Sequence, residues 1–173
     1  ILAMLSNMVS ATTISREGGN FYITKLTPTS PRKQIWAKIA FNLIFTYSSL
    51  VLTTVITAIF TEIPILYNIL TTLAVAIISL GHIITSILID LKKPILDWFD
   101  SSDIEKISKS TKLSMTLGLI LAFLMFLIVV IFAPTNHTVW PWIILITMVT
   151  LYTVSITIYY IVKINKIYQK VEC

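Results

Sequence analysis

Every lysine and arginine of this 173-residue chain falls in one of three polar stretches, and between those stretches lie long apolar runs. The runs cover about residues 34–60, 63–91, 113–133 and 139–162. A helix needs about 20 apolar residues to cross the hydrocarbon of a bilayer, and each run supplies that length. In lipid no water can satisfy a stray peptide group, so such runs fold as helices with all their backbone bonds internal. Composition agrees, because 56% of the residues are hydrophobic and only 12% are charged, against about 25% charged in soluble domains. The expected fold is an all-α polytopic membrane protein with four full transmembrane helices.

The placement of the basic residues sets the topology. Arg16, Lys25, Arg32, Lys33 and Lys38 lie in the first polar stretch and at the start of the first helix; Lys92, Lys93, Lys106, Lys109 and Lys112 lie in the second stretch. Lys163, Lys166 and Lys170 lie in the tail, and the turns near Glu62 and Asn136 hold no basic residue. The positive-inside rule puts loops 14–33 and 92–112 and tail 163–173 in the cytoplasm, in a protein integral to the cytoplasmic membrane. A net charge of +5 would also suit nucleic acid. The basic groups flank apolar runs instead of forming one patch, which argues for a bilayer and against nucleic acid. A single cysteine, Cys173, excludes an internal disulfide and a multi-cysteine metal site. None of the four glycines opens a phosphate-binding GxxxxGK[ST] loop, and no His/Glu metal motif or Ser/His/Asp set occurs. The chain is therefore expected to be no enzyme, with no metal or cofactor. The run Ile1 to Thr13 is too short to cross and lacks signal-peptide features. It reads as the inner end of a preceding span whose beginning is missing.

The stretch from Ile14 to Lys38 is the longest polar interruption. Asn20 is placed to cap a brief helix carrying Phe21, Tyr22, Ile23 and Leu26, which Pro28 ends. Ser30 and Pro31 then open the next helix as N-cap and first helical residue. Arg32, Lys33 and Trp36 sit where an interfacial anchor belongs. The pattern Arg16-Glu17-Gly18, then Lys25-Leu26-x-Pro28, then Lys38 entering a hydrophobic helix resembles the cytoplasmic loop of type-2 ABC exporter permeases. A second stretch, Asp90-Leu91-Lys92-Lys93-Pro94 through Leu96-Asp97-Trp98, is similar to the later loop of a bacterial subgroup of such permeases.

The resemblance implies that the first loop holds a coupling helix docked on a separate ABC ATPase subunit. Arg16, Glu17, Phe21, Tyr22, Lys25, Leu26 and Pro28 would form the docking element, with Glu17 as its acidic group and Phe21, Tyr22 and Leu26 as an apolar wedge. Two six-helix halves, from one long chain or as a homodimer, would then form the translocation path, and this chain corresponds to the later part of one half. The turn at Pro134 to Val139 is too short for the re-entrant helices that many members carry, which leaves the substrate class open.

The remaining polar features have weaker meanings. Asn42 is costly to bury in lipid and is expected to face protein, whereas the many hydroxyls can bond back to carbonyls of the preceding turn. His82, near mid-membrane, is either a functional group or a neutral ring bonded to a neighbouring helix, with Gly81 allowing close approach. Glu62 and Asp90 lie at opposite edges, so no acid shares its depth. Trp98 and Phe99 suit the headgroup region. Ser102-Asp103-Ile104-Glu105 forms a capping box, which predicts a helix start near Asp103. Lys106, Lys109 and Lys112 suit phosphate headgroups, an acidic partner or plain solvent. Asn136-His137-Thr138 is a glycosylation sequon too close to the bilayer to be used. Two further function classes stay open. A secondary transporter would want paired intramembrane acids or broken helices, which do not occur, and a non-transporting scaffold or regulator would need no ATPase.

Overall fold

The computed structural model describes residues 8–98, 108–132 and 140–171. Among the described residues the chain is all helical. A short α1 (Met8–Ala11) and a 3₁₀ segment (Ser15–Asn20) lead into α2 (Phe21–Leu26). Then come α3 (Pro31–Phe60), α4 (Ile65–Lys92), α5 (Lys109–Phe132) and α6 (Trp140–Gln169). These last four are long and apolar enough to cross a membrane, which makes the chain an all-α polytopic membrane protein.

Each long helix starts where local chemistry allows it. Ser30 is extended (φ −65°, ψ 144°) with Pro31 next, and the Ser30 carbonyl accepts the Lys33 and Gln34 amides. Its hydroxyl does no capping. At α4 the Pro64 carbonyl plays the same part for Tyr67 and Asn68. The capping box at Ser102 to Glu105, the expected start at Asp103, Phe99 and the sequon at Asn136 lie outside the described residues. Within them, Ser108 Oγ accepts the Thr111 amide at 3.2 Å and caps the first turn of α5. Asn20 does not cap α2. It is already helical (φ −69°, ψ −14°) and makes no side-chain cap bond. The break falls two residues earlier, at Gly18 (φ +52°), so the 3₁₀ turn runs on into α2.

α4 is the central helix. From Ala74 to Leu91 most of its side chains are buried, and it packs on α3, α5 and α6. Gly81 faces α6 at a distance that no larger residue would permit: a Cβ there would lie 2.7 Å from Thr153 Oγ1 and 2.8 Å from Tyr152 Cε1. Thr153 Oγ1 donates to the Ile77 carbonyl, and Thr85 and the Tyr152 hydroxyl are bonded, so α4 and α6 are joined on both sides of that contact. The halves of α3 and α4 next to their connecting turn are linked by polar groups. Thr54 bonds Thr72, Thr57 donates to Asn68 Oδ1, and Asn68 Nδ2 donates to the Thr54 carbonyl. Thr46, Thr53 and Thr54 donate to the carbonyl four residues back, which keeps these hydroxyls satisfied in lipid. The outward faces of α3 and α5 are apolar, with Phe41, Phe45, Ile59, Phe123, Phe126 and Ile131 all exposed, as suits helices solvated by acyl chains.

Candidate functional site

At the basic end of the bundle the two polar stretches meet around one carboxylate. Asp90 lies in the last turn of α4 and is fully buried. An anion there opposes the helix dipole, so it needs donors. They come from 75 residues upstream. The Ile14 and Ser15 amides donate to Asp90 Oδ2 at 2.8 and 3.0 Å, and the Ser15 hydroxyl donates to Oδ1. Ser15 then serves the following loop as well. Its hydroxyl accepts the Ile95 amide at 3.0 Å, and its carbonyl accepts the Trp98 indole N–H at 2.8 Å. One serine thus joins the first polar stretch to both ends of the turn after α4.

Gly18 completes the junction. The Trp98 indole packs so closely that a Cβ on Gly18 would meet it at 3.1 Å. Its positive φ is a second reason for glycine. Trp98 is therefore half-buried against the protein. Glu17 pairs with Lys38 through Oε1, while Oε2 is buried without a hydrogen bond. Asn42 is buried and faces protein, its amide reaching Thr13 Oγ1 at 3.3 Å and the Lys38 carbonyl at 3.0 Å. The exposed Arg16 donates from Nε to Thr12 Oγ1.

The short helix α2 is held from its other side by α6 and the tail. Phe21 is fully buried and meets the Tyr168 ring at 5.4 Å. It turns into the chain's own core, so the apolar wedge expected of Phe21, Tyr22 and Leu26 loses its first member. An aromatic ring at the start of a short helix wins more area from the core than from an exposed surface. Lys25 Nζ donates to the Val171 carbonyl and lies 5.9 Å from the Phe21 ring centre. Gln34 accepts from the Tyr168 hydroxyl and donates to the Thr24 and Thr29 carbonyls. Tyr22, Ile23 and Leu26 face outward, 56%, 62% and 66% exposed. Pro28 is exposed in the link to α3.

His82 stands apart from this junction, a little over two turns from Asp90 along α4. It is 1% exposed, and neither ring nitrogen has a hydrogen-bond partner. The close approach belongs to Gly81 and α6, and the bond to a neighbouring helix expected of the ring is not made. Among the described residues no three metal-binding side chains gather. Sequence reasoning missed Ser15 and the role of Asp90. An acid in the last turn of an apolar helix was the available signal, because burial there requires donors from another segment. Comparison of the chain with protein-family models, with curated proteins and with solved structures finds no match.

Proposed function

We propose that this chain is the membrane-spanning permease part of an ATP-driven exporter of the ABC type, coupling a separate ATPase subunit to alternating access. The observation that carries the reading is the build of α2. It is a short helix at the basic end of the bundle, with three adjacent apolar side chains outward. Its inner side is fixed to α6 by Phe21 and to the tail just after α6 by Lys25. The chain just before it is fixed to α4 by Asp90. A helix tied at both ends to two spans moves with them, which is what a coupling element requires. Tyr22, Ile23 and Leu26 form the wedge seated in the ATPase, and Glu17 positions the loop through Lys38 instead of meeting the partner. A second permease half, or a second copy, completes the path.

The test is purification from native membranes in mild detergent. A polypeptide with a Walker-type nucleotide-binding motif is expected to accompany the chain, with ATP hydrolysis in the purified complex. Truncating an apolar anchor at an interface costs more than about 1 kcal/mol. Tyr22→Ala and Leu26→Ala should therefore weaken ATPase retention at least about fivefold, and Lys33→Ala should not. Absence of any such ATPase from the wild-type preparation would refute the reading and leave a scaffold or regulator.

A further inference from the structure

A second polar feature at the basic end adjoins the Asp90 junction, where α4 ends and α5 begins. Ser86 of α4 and Ser114 of α5 are hydrogen-bonded at 2.6 Å, which fixes the register of these two antiparallel helices. From that bond Lys92 lies six residues along α4 and Lys109 five residues back along α5. At 1.5 Å per residue both stand about 8 Å beyond the Ser86–Ser114 contact, and so at one level. A cleft of about 600 Å³ lies there. Ile89, Ile95 and Leu113 supply its apolar wall, and Lys92, Lys93 and Lys109 its charge. Lys92 Nζ lies 5.4 Å from the Tyr159 ring centre, a contact that positions the ammonium without neutralising it. Among the described residues no carboxylate pairs with any of the three lysines.

We propose that this cleft is a binding site for an anionic phospholipid of the leaflet at the basic end of the bundle. The occupant must combine a negative head with an apolar tail, because the same cavity offers three ammonium groups and an aliphatic wall. The cleft also lies at the ends of two helices long enough to cross a membrane, Lys92 closing one and Lys109 opening the other, where lipid headgroups belong. A soluble acidic peptide would satisfy the lysines but would have to set its own polar backbone against Ile89, Ile95 and Leu113. A zwitterionic lipid would carry its own cation into a site that already holds three. The lipid phosphate is expected between Lys93 and Lys109, with one acyl chain along Leu113. Occupancy would tie the start of α5 to the turn after α4, two residues from the Asp90 junction. This inference needs only the membrane-spanning helices and is independent of any ATPase.

The experiment uses the whole chain in mild detergent, titrated with phosphatidylglycerol or phosphatidylcholine and read by native mass spectrometry. One phosphatidylglycerol should remain bound under conditions that strip phosphatidylcholine. An exposed lysine near an anionic surface contributes about fivefold in affinity, so K92Q/K93Q/K109Q should lose roughly a hundredfold. The arginine triple variant K92R/K93R/K109R should retain binding, and so should K163Q/K166Q/K170Q in the tail. Inorganic phosphate at equal concentration should not compete. Equal binding of both lipids, retention by K92Q/K93Q/K109Q, or displacement by inorganic phosphate alone would each overturn the proposal. Loss in the arginine variant would overturn it too, since charge is then not what the cleft reads.

Discussion

Asp90 shows how one buried charge can organise two segments far apart in sequence. Its carboxylate receives two amides and a hydroxyl, which is close to the full hydrogen-bonding capacity of a carboxylate. Asp90→Ala would leave the Ile14 and Ser15 amides buried and unpaired, at about 1–3 kcal/mol each. Hydrogen exchange should show those two amides losing protection in the variant, while the centre of α4 keeps it. Unchanged exchange would mean that the segment is held by something other than this carboxylate. Gly81 has a different sensitivity. A methyl there meets both Tyr152 and Thr153, so Gly81→Ala should lower stability by about 1–3 kcal/mol, visible as an earlier thermal transition in detergent. His82 works in the opposite direction. A buried ring with two unpaired nitrogens is replaced without loss by an apolar group of similar shape. His82→Leu should leave the thermal midpoint unchanged or raised, whereas His82→Ala should lower it by opening a cavity. A fall for both variants would show that the ring has a stabilising partner.

At the scale of elements, α2 separates two kinds of apolar residue that look alike in sequence. Phe21 is buried and Leu26 is the most exposed side chain of the helix's outer face. Phe21→Ala should cost about 3–5 kcal/mol of folding stability, whereas Leu26→Ala should leave stability unchanged and act only on a partner. Thermal unfolding of the two variants side by side checks this, and equal losses would mean that α2 docks on the chain through its other face. Near their connecting turn α3 and α4 are joined by polar bonds, through Asn68 with Thr54 and Thr57. Hydrogen bonds between membrane helices average about 0.6 kcal/mol. These bonds add several small increments to the apolar packing of Ile35 and Ile39 on α4, and no single threonine should matter much.

At the scale of the whole molecule, the basic end is where the chain is built most firmly. The larger core cluster runs from Ile14 and Phe21 through Ile83, Ile87 and Leu91 to Tyr160 and Ile164. The smaller one, around Ala74, Ile78, Leu145 and Val149, lies further along the bundle. All described basic side chains lie toward the first of these ends or in the tail. Single-cysteine labelling in intact cells, after removal of Cys173, should find positions 25 and 170 protected and position 62 reactive to an impermeant reagent. Reaction at position 25 from outside would reverse the orientation.

The number of membrane-crossing helices and the polar–apolar layout follow from the sequence alone, because the bilayer leaves a 20-residue apolar run no other fold. The start of α3 at Ser30-Pro31 and the short helix ending before Pro28 are equally local, set by backbone chemistry within a few residues. Asn42 facing protein follows from its desolvation cost. The partners of buried polar groups are another matter. Nothing near Asp90 in sequence says that its donors come from Ile14 and Ser15, that Trp98 turns inward to Ser15, or that Phe21 is core while Tyr22 is surface. Those outcomes depend on which helix lies beside which. That arrangement is decided by the fit of Gly81 against Tyr152 and Thr153 and by the packing of α4 among α3, α5 and α6, and only the tertiary structure carries it.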